Sequence, residues 1–307
     1  MLEALDVSGL VTFQDSGRFG WQSYGVPVSG SMDWFAHRAA NMLTGNPAGA
    51  TVIEIGLGEA SFIAKQSCVV AVTGAGYEVS NYVWTFPLWT SFFARAGWRV
   101  HVKKKSGGNW AYLAVAGGFE SDSILGSRSA YLRGGLGQAI RAGDLLKIGK
   151  TSRGLNELAA RAFPVEKHIN YSQSPTLEVI AGPQEDRFTK DGIQTFYGSE
   201  YQLSKSFDRM GYRLEGKPIS HKSNAELISE GMTVGSVQIP ANGQPIVMMA
   251  DAPTTGGYPK IANVIRADLP LLAQCEAGVS KIRFKETTVE KAQGKYRKLI
   301  ITKTPKE

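Results

Sequence analysis

The stretch Val234-Gly235-Ser236-Val237-Gln238-Ile239-Pro240-Ala241-Asn242-Gly243-Gln244-Pro245-Ile246-Val247-Met248-Met249-Ala250-Asp251-Ala252-Pro253-Thr254-Thr255-Gly256-Gly257-Tyr258-Pro259 alternates short apolar runs with dense turn chemistry. Asn242-Gly243 is a strong tight-turn signal, because both residues tolerate positive φ. Ile246 to Ala250 predicts a fully buried strand. Asp251, Pro253, Thr254, Thr255, Gly256, Gly257 and Tyr258 follow it. A carboxylate, two hydroxyls, a phenol and bare backbone N–H groups thus gather at one strand end. Loops that hold polar side chains on a rigid strand are where sites tend to be built.

The same texture extends outward. Thr176-Ile180, Ser199-Ser204, Ala225-Ile228, Gly235-Ile239, Ile246-Ala250 and Ser280-Phe284 read as strands, with a helical turn at Asp268-Gln274 entered through Pro270. In the first half, Thr51-Ile55, Cys68-Thr73, Trp98-Val102, Ala111-Val115 and Leu145-Ile148 read the same way. Strands at this spacing suggest an antiparallel barrel or sandwich. Asp33 is set to cap a helix through Leu43 that Gly45-Asn46-Pro47 stops. The fold class is therefore mainly β, of α+β type, with a few short helices. Residues 1–150 form one half, 151–175 a linker with a short helix at Asn156-Ala162, 176–285 a second half and 286–307 a basic C-terminal helix.

At 307 residues the chain can hold two domains with real cores, and its 35 Gly and 13 Pro favour turns and short strands over a helical bundle. The net charge of +7 is concentrated: nine Lys or Arg face three Glu from Lys281 to Glu307. Such a segment is either a solvated terminal helix or a docking surface for an acidic partner or nucleic acid. No basic run is interleaved with aromatics as in single-strand readers, so no nucleic acid is expected. Cys68 and Cys275 make no disulfide framework. No signal peptide and no membrane-spanning run are visible, so the expected location is cytoplasmic.

Several chemistries lack their motif. There is no CxxC, HExxH, GxSxG or helix-opening GxGxxG, and His37, His101, His168 and His221 suggest no metal cluster. Gly143 to Thr151 resembles a phosphate loop but has five residues between its glycines where the motif needs four. Two polar clusters remain. Gln14, Asp15 and Arg18 either bind a carboxylate or phosphate, or stiffen a loop through an Asp15–Arg18 ion pair. Arg209 and Arg213, four apart, share a face on a helix or a strand. They either converge on one anion or pair with Asp208 and Glu215 at the surface. Gly126-Ser127-Arg128-Ser129 and Arg133-Gly134-Gly135-Leu136-Gly137 read first as hairpin turns.

Four ordered strings carry a resemblance that spans about residues 2–285. They are Gln14-Asp15-Ser16-Gly17-Arg18 with Gly25-Val26-Pro27, Leu113-Ala114-Val115-Ala116-Gly117-Gly118, Arg209-Met210-Gly211-Tyr212-Arg213-Leu214, and Asn242-Gly243-Gln244-Pro245 through Thr254-Thr255-Gly256-Gly257-Tyr258-Pro259. Together they resemble the family of C-type subunits of bacterial 5-oxoprolinase, also known as allophanate hydrolase subunit 2, as a sporulation kinase-inhibitor antagonist and as a biotin-dependent carboxyltransferase-like protein. The resemblance implies two cyclophilin-like β-barrel halves. It also implies a heteromer with a second, B-type subunit, working with a third, hydrolytic subunit to cleave 5-oxoproline to glutamate using ATP and Mg²⁺.

On that resemblance, Arg209, Arg213 and Arg18 neutralise phosphate or carboxylate oxygens, and Asp251 holds Mg²⁺ or accepts a proton. Thr254, Thr255 and the Gly256-Gly257 backbone donate to an oxyanion. Asn242 and Gln244 read an amide edge. Gln14, Asp15 and Tyr258 complete the expected substrate or nucleotide contacts, and no resident metal site is expected. The competing readings are a carboxyltransferase or allophanate-hydrolase-type component acting on urea-like substrates, where biotin enters, and a non-catalytic regulatory partner of the second subunit.

Overall fold

The computed structural model describes residues 1–223 and 225–300. Two compact units divide them: Met1–Arg18 with Ser29–Ile169, and Phe19–Val28 with Asn170–Ile300. The last seven residues of the expected C-terminal helix segment, 301–307, lie outside the described residues.

The first unit contains β1 (Leu2–Val7), β2 (Leu10–Gln14), α1 (Trp34–Leu43), β3 (Val52–Gly56), β4 (Ala60–Ala64), β5 (Cys68–Gly74), β6 (Tyr77–Ser80), β7 (Thr85–Phe86), β8 (Thr90–Ala94), β9 (Arg99–Lys104), β10 (Trp110–Val115), β11 (Phe119–Glu120), β12 (Leu145–Ile148) and α2 (Leu155–Leu158). One sheet runs β11-β12-β1-β4-β9-β6-β7 and the other β2-β3-β10-β5-β8. Their inner faces share a single core, with Leu2, Phe62, Val79 and Val100 from one sheet meeting Ile53, Val70, Val72 and Leu113 from the other. The barrel expected here is therefore a pair of open sheets over one core.

The burial patterns follow from what covers each face. Strand β9 alternates exposed and buried residues because one of its faces meets solvent. Strands β5 and β10 are buried throughout because α1 packs on their outer side. Asp33 starts α1 as expected, its Oδ1 accepting from Phe35 N (3.1 Å) and Ala36 N (2.9 Å). Residues 151–169 do not act as a free linker. Leu158 packs on Val69 and Ala116, and Phe163 N donates to Trp89 O at 2.9 Å, so apolar anchors hold the segment to the first unit.

The second unit contains β13 (Thr176–Ala181), α3 (Lys190–Gly198), β14 (Tyr201–Phe207), β15 (Gly211–Glu215), β16 (Glu230–Gly231), β17 (Ser236–Gln238), β18 (Ile246–Met248), β19 (Thr255–Gly256), β20 (Lys260–Val264), α4 (Leu269–Ala273), β21 (Lys281–Glu286) and α5 (Val289–Leu299). Seven strands close a barrel in the order β13-β20-β17-β18-β15-β14-β21, and the parallel β13–β21 pair completes the ring. Strands β16 and β19 form a separate two-stranded ribbon. The strand expected at Ala225-Ile228 is absent, and pairing begins at Glu230. The basic helix α5 is only partly solvated. Ala292, Tyr296 and Leu299 pack on Ile180, Ile265 and Ala267, and Lys295 Nζ lies 2.7 Å from buried Asp268 Oδ1. No helix of the described residues is long and apolar enough to cross a membrane.

Neither cysteine is in a disulfide and both are buried, and burial pushes the Cys68 thiol up to about 11 and the Cys275 thiol up to about 12. The thiolate is the reactive form. The native protein should therefore consume almost no aromatic disulfide reagent at pH 8 over minutes, and two equivalents after denaturation. Rapid labelling of the native chain would contradict this burial.

Candidate functional site

In the first unit, Asp15 sits at the end of β2 and gathers four donors. Its Oδ1 accepts from Gly17 N (2.9 Å), Ser127 Oγ (2.6 Å) and Ser129 Oγ (2.6 Å), and its Oδ2 from Arg128 N (2.7 Å). Burial pushes the carboxyl up, but the Ser127, Ser129, Arg128 and Gly17 donors together outweigh it and hold Asp15 below its ordinary value. Arg18 is buried and donates from Nε to Ile124 O (2.9 Å) and from Nη2 to Ser129 O (2.8 Å). The two residues thus stiffen the loop through the 124–129 segment, in place of the Asp15–Arg18 ion pair expected from their proximity in sequence. Gln14 is also buried, with Nε2 donating to Thr12 Oγ1 and Ala130 O at 3.1 Å each.

A buried network beside this loop was missed by sequence reasoning. His37 Nε2 lies 2.8 Å from Ala50 O and its Nδ1 2.8 Å from Ser31 Oγ. A carbonyl can only accept, so Nε2 carries the proton and Nδ1 accepts from the serine. Burial lowers the His37 pKa to about 4. Tyr112 Oη accepts from Asp33 N (2.7 Å) and is hydrogen-bonded to Glu54, whose Oε2 accepts from Met32 N (2.8 Å). Burial, then the Glu54 and Asp33 charges, push the Tyr112 hydroxyl well above its ordinary value. One signal was available: Glu54 interrupts the apolar run Val52-Ile53-Glu54-Ile55, and a carboxylate inside a fully buried strand needs partners.

In the second unit, Arg209 and Asp251 face each other. Arg209 Nε donates to Asp251 Oδ2 (2.9 Å) and Nη2 to Oδ1 (3.1 Å), with both side chains buried. Asp251 N also donates to Arg209 O at 2.8 Å, extending the β15–β18 pairing past both strands. Arg213 lies within β15 and is exposed, with Nη1 donating to Ser206 O at 3.3 Å. The two arginines therefore do not share a face, because Arg209 precedes the strand on which Arg213 stands.

Other expected contact residues are committed to backbone. Gln244 Oε1 accepts from Gly216 N (2.8 Å) and its Nε2 donates to Gly216 O (3.1 Å), so the amide oxygen and an amide N–H are both spent on the backbone of one residue. Asn242 Oδ1 accepts from Gln244 N at 3.1 Å in an Asx turn. Gly243 has φ +73°, and a Cβ there would meet Ile219 N at 2.8 Å.

The segment Thr254–Tyr258 differs. The Thr254, Thr255 and Tyr258 hydroxyls make no hydrogen bond among the described residues, and Thr255 and Tyr258 are exposed. Its backbone is tied to β16 by the β16–β19 pairing, by Met232 N to Thr254 O (2.9 Å) and by Leu227 N to Gly257 O (2.8 Å). Gly256 leaves no room for a side chain: a Cβ would lie 2.3 Å from the Met232 methyl and 2.7 Å from Gln238 Nε2. Lys260, also missed in the sequence, is buried beside the ribbon, its Nζ 3.1 Å from both Glu230 Oε2 and Gly231 O. Gln184 donates to the same Glu230 oxygen at 2.7 Å. Three free hydroxyls and a close-packed glycine backbone can together bind an oxyanion or a phosphate. Among the described residues no three His, Cys, Asp or Glu side chains converge as a metal cage.

The family described as carboxyltransferase domain, subdomain A and B, matches residues 24–286. The chain is 37% identical over 302 residues to the C-type subunit of 5-oxoprolinase of Escherichia coli (strain K12), spanning 95% of this chain and 93% of that protein. The crystal structure of TTHA0988 matches with a TM-score of 0.84 at 32% identity, over 92% of this chain and 55% of that one. The urea amidolyase of K. lactis shares the fold, with a TM-score of 0.89 at 23% identity over 97% of this chain and 20% of that one.

Two predictions follow from the geometry. Removing one partner of a buried ion pair strands the other charge, so Arg209→Ala or Asp251→Ala should each lower stability by about 3–5 kcal/mol. Urea denaturation checks this, and losses below about 1 kcal/mol would mean that solvent reaches the pair. His37 has a depressed folded pKa, so its contribution is present above pH ~6.5 and is lost as pH falls toward about 4. Over that window the parent should lose about 3 kcal/mol relative to His37→Gln, read from denaturation midpoints at each pH.

Proposed function

This chain belongs to the carboxyltransferase-domain family, subdomains A and B, and on that footing we propose that it is the C-type subunit of an ATP-dependent 5-oxoprolinase. The end-to-end likeness to the Escherichia coli protein of that name carries this reading. In it, the chain works with a second subunit to activate the lactam, and a third finishes hydrolysis to glutamate. The amide oxygen of 5-oxoproline attacks the γ-phosphorus of ATP. A C–O–P bond forms, the bond from γ-phosphorus to its bridging oxygen breaks, and ADP leaves with that electron pair. Water then adds to the activated carbon, and the ring C–N bond opens with nitrogen taking the pair and a proton. A second water releases phosphate.

Such chemistry asks a protein mainly for positioning and charge neutralisation. The uncommitted Thr254, Thr255 and Tyr258 hydroxyls and the Gly256-Gly257 backbone suit the developing charge on the carbonyl or phosphoryl oxygens. Lys260 is already paired with Glu230 and stiffens the ribbon, and exposed Arg213 remains open to an anion. Arg209 with Asp251 holds the ribbon's entry, while Gln14, Asp15, Arg18, Asn242 and Gln244 shape loops. Asp251 spends both oxygens on Arg209, which argues against its serving as the Mg²⁺ ligand expected of it. A nucleotide-borne Mg²⁺ needs only phosphate oxygens, water and one or two carboxylates.

The family's description and the shared urea amidolyase fold favour a second reading, a component that transfers a carboxyl group to a urea-like acceptor. Mixing the chain with the other two subunits separates the readings. The first expects ATP turnover that requires 5-oxoproline; turnover that instead requires urea and biotinylated carrier would replace it. Within the first, Thr254→Val with Thr255→Ala should lower turnover by about 10²-fold or more and leave complex formation unchanged.

A further inference from the structure

Far from the ribbon in sequence, the hairpin joining β6 to β7 is built to expose apolar side chains. Tyr82, Val83 and Trp84 are 57%, 75% and 58% exposed. Their conformation is not slack. Asn81 Oδ1 accepts from Val83 N (3.0 Å) and Trp84 N (2.7 Å), and Asn81 N donates to Trp84 O (3.0 Å). Tyr82 is held at φ +70°, a left-handed conformation that costs an aromatic residue free energy, and its hydroxyl is tied to Ser61 Oγ and His101 Nδ1 at 3.0 Å each. The hairpin is thus held in place by the first unit, yet most of the Val83 and Trp84 surface stays in solvent.

The surroundings fit recognition of a protein. Trp84 rests against Trp98 with ring centroids 5.6 Å apart. Arg95 lies 5.8 Å over the Trp98 ring and Arg99 5.7 Å over Tyr82. Among the described residues no carboxylate pairs with either guanidinium, so the patch presents two uncompensated positive charges around an apolar knob. Trp, Tyr and Arg are the residue types that dominate binding hot spots. Strand β7 is the edge of its sheet, but Pro87 follows it immediately and blocks strand addition, so contact is through side chains. A second copy would bring like charge to the patch. In the two solved structures compared above, the region matching this chain is part of a longer polypeptide.

We propose that the Tyr82-Val83-Trp84 hairpin, with Arg95 and Arg99, docks an acidic protein surface that offers an apolar pocket, and that this surface belongs to the second subunit. The identity of the partner rests on the proposed function. The test is calorimetric titration of the full chain with the purified second subunit. Trp84→Ala should weaken binding by about 30-fold, and Arg95→Glu with Arg99→Glu should weaken it and flatten its salt dependence. All variants should melt at the parent temperature, because the altered side chains are largely exposed. Parent-like affinity in the variants would overturn the docking surface and leave the functional reading intact. Failure of the parent itself to bind would overturn both. Two further outcomes also sink the proposal: self-association of the parent that Trp84→Ala abolishes, or Trp84-dependent sedimentation with phosphatidylserine vesicles in place of binding to the second subunit.

Discussion

A guanidinium and a carboxylate taken out of water are tolerable only face to face, and the second unit is organised around that constraint at Arg209 and Asp251. Arg209 stands just before β15 and Asp251 just after β18. Their fork-to-fork contact therefore carries the pairing of those strands beyond their regular ends. The chain leaves Asp251 in one direction only, and three residues later it becomes the Thr254–Tyr258 ribbon. The position of the free hydroxyls is inherited from a salt bridge that need not touch a ligand.

The first unit uses the same economy with a different group. One carboxylate, Asp15, collects four donors from its own loop and from residues about 110 positions later. Arg18 then grips the same distant segment through main-chain carbonyls. Charged residues in both units act chiefly as fasteners, and the groups left open for chemistry are mostly neutral donors. An open donor gains most from an oxygen whose charge grows during reaction, as a lactam or phosphoryl oxygen does.

The sequence made the β-rich class legible because strand periodicity and turn residues are local. It did not show why the first half is two open sheets and the second a closed ring. Closure depends on the β13–β21 pairing between segments about 100 residues apart, and no local pattern encodes it. The candidate site was legible as a set of positions along the chain. Asp251, Thr254 and Gly256 lie at one strand exit as expected, whereas Gln244 looked like an amide reader and proved to be an amide mimic for Gly216. Arg209 and Arg213 seemed paired by their spacing, but that argument assumes one continuous element, and β15 begins between them. Lys260 was passed over because a lysine opening an apolar strand looks like surface, until Glu230 arrives from thirty residues away.

The short segment Phe19–Val28 belongs with the second unit, although both its neighbours in sequence belong to the first. Among the described residues the chain therefore crosses between units three times, after Arg18, after Val28 and after Ile169. A ribosome delivers Phe19–Val28 long before Asn170–Ile300, so the first-made piece of the second unit waits for the rest until synthesis is nearly over. Cutting the gene near residue 170 would not yield two whole domains: the C-terminal fragment would lack a piece encoded at the opposite end.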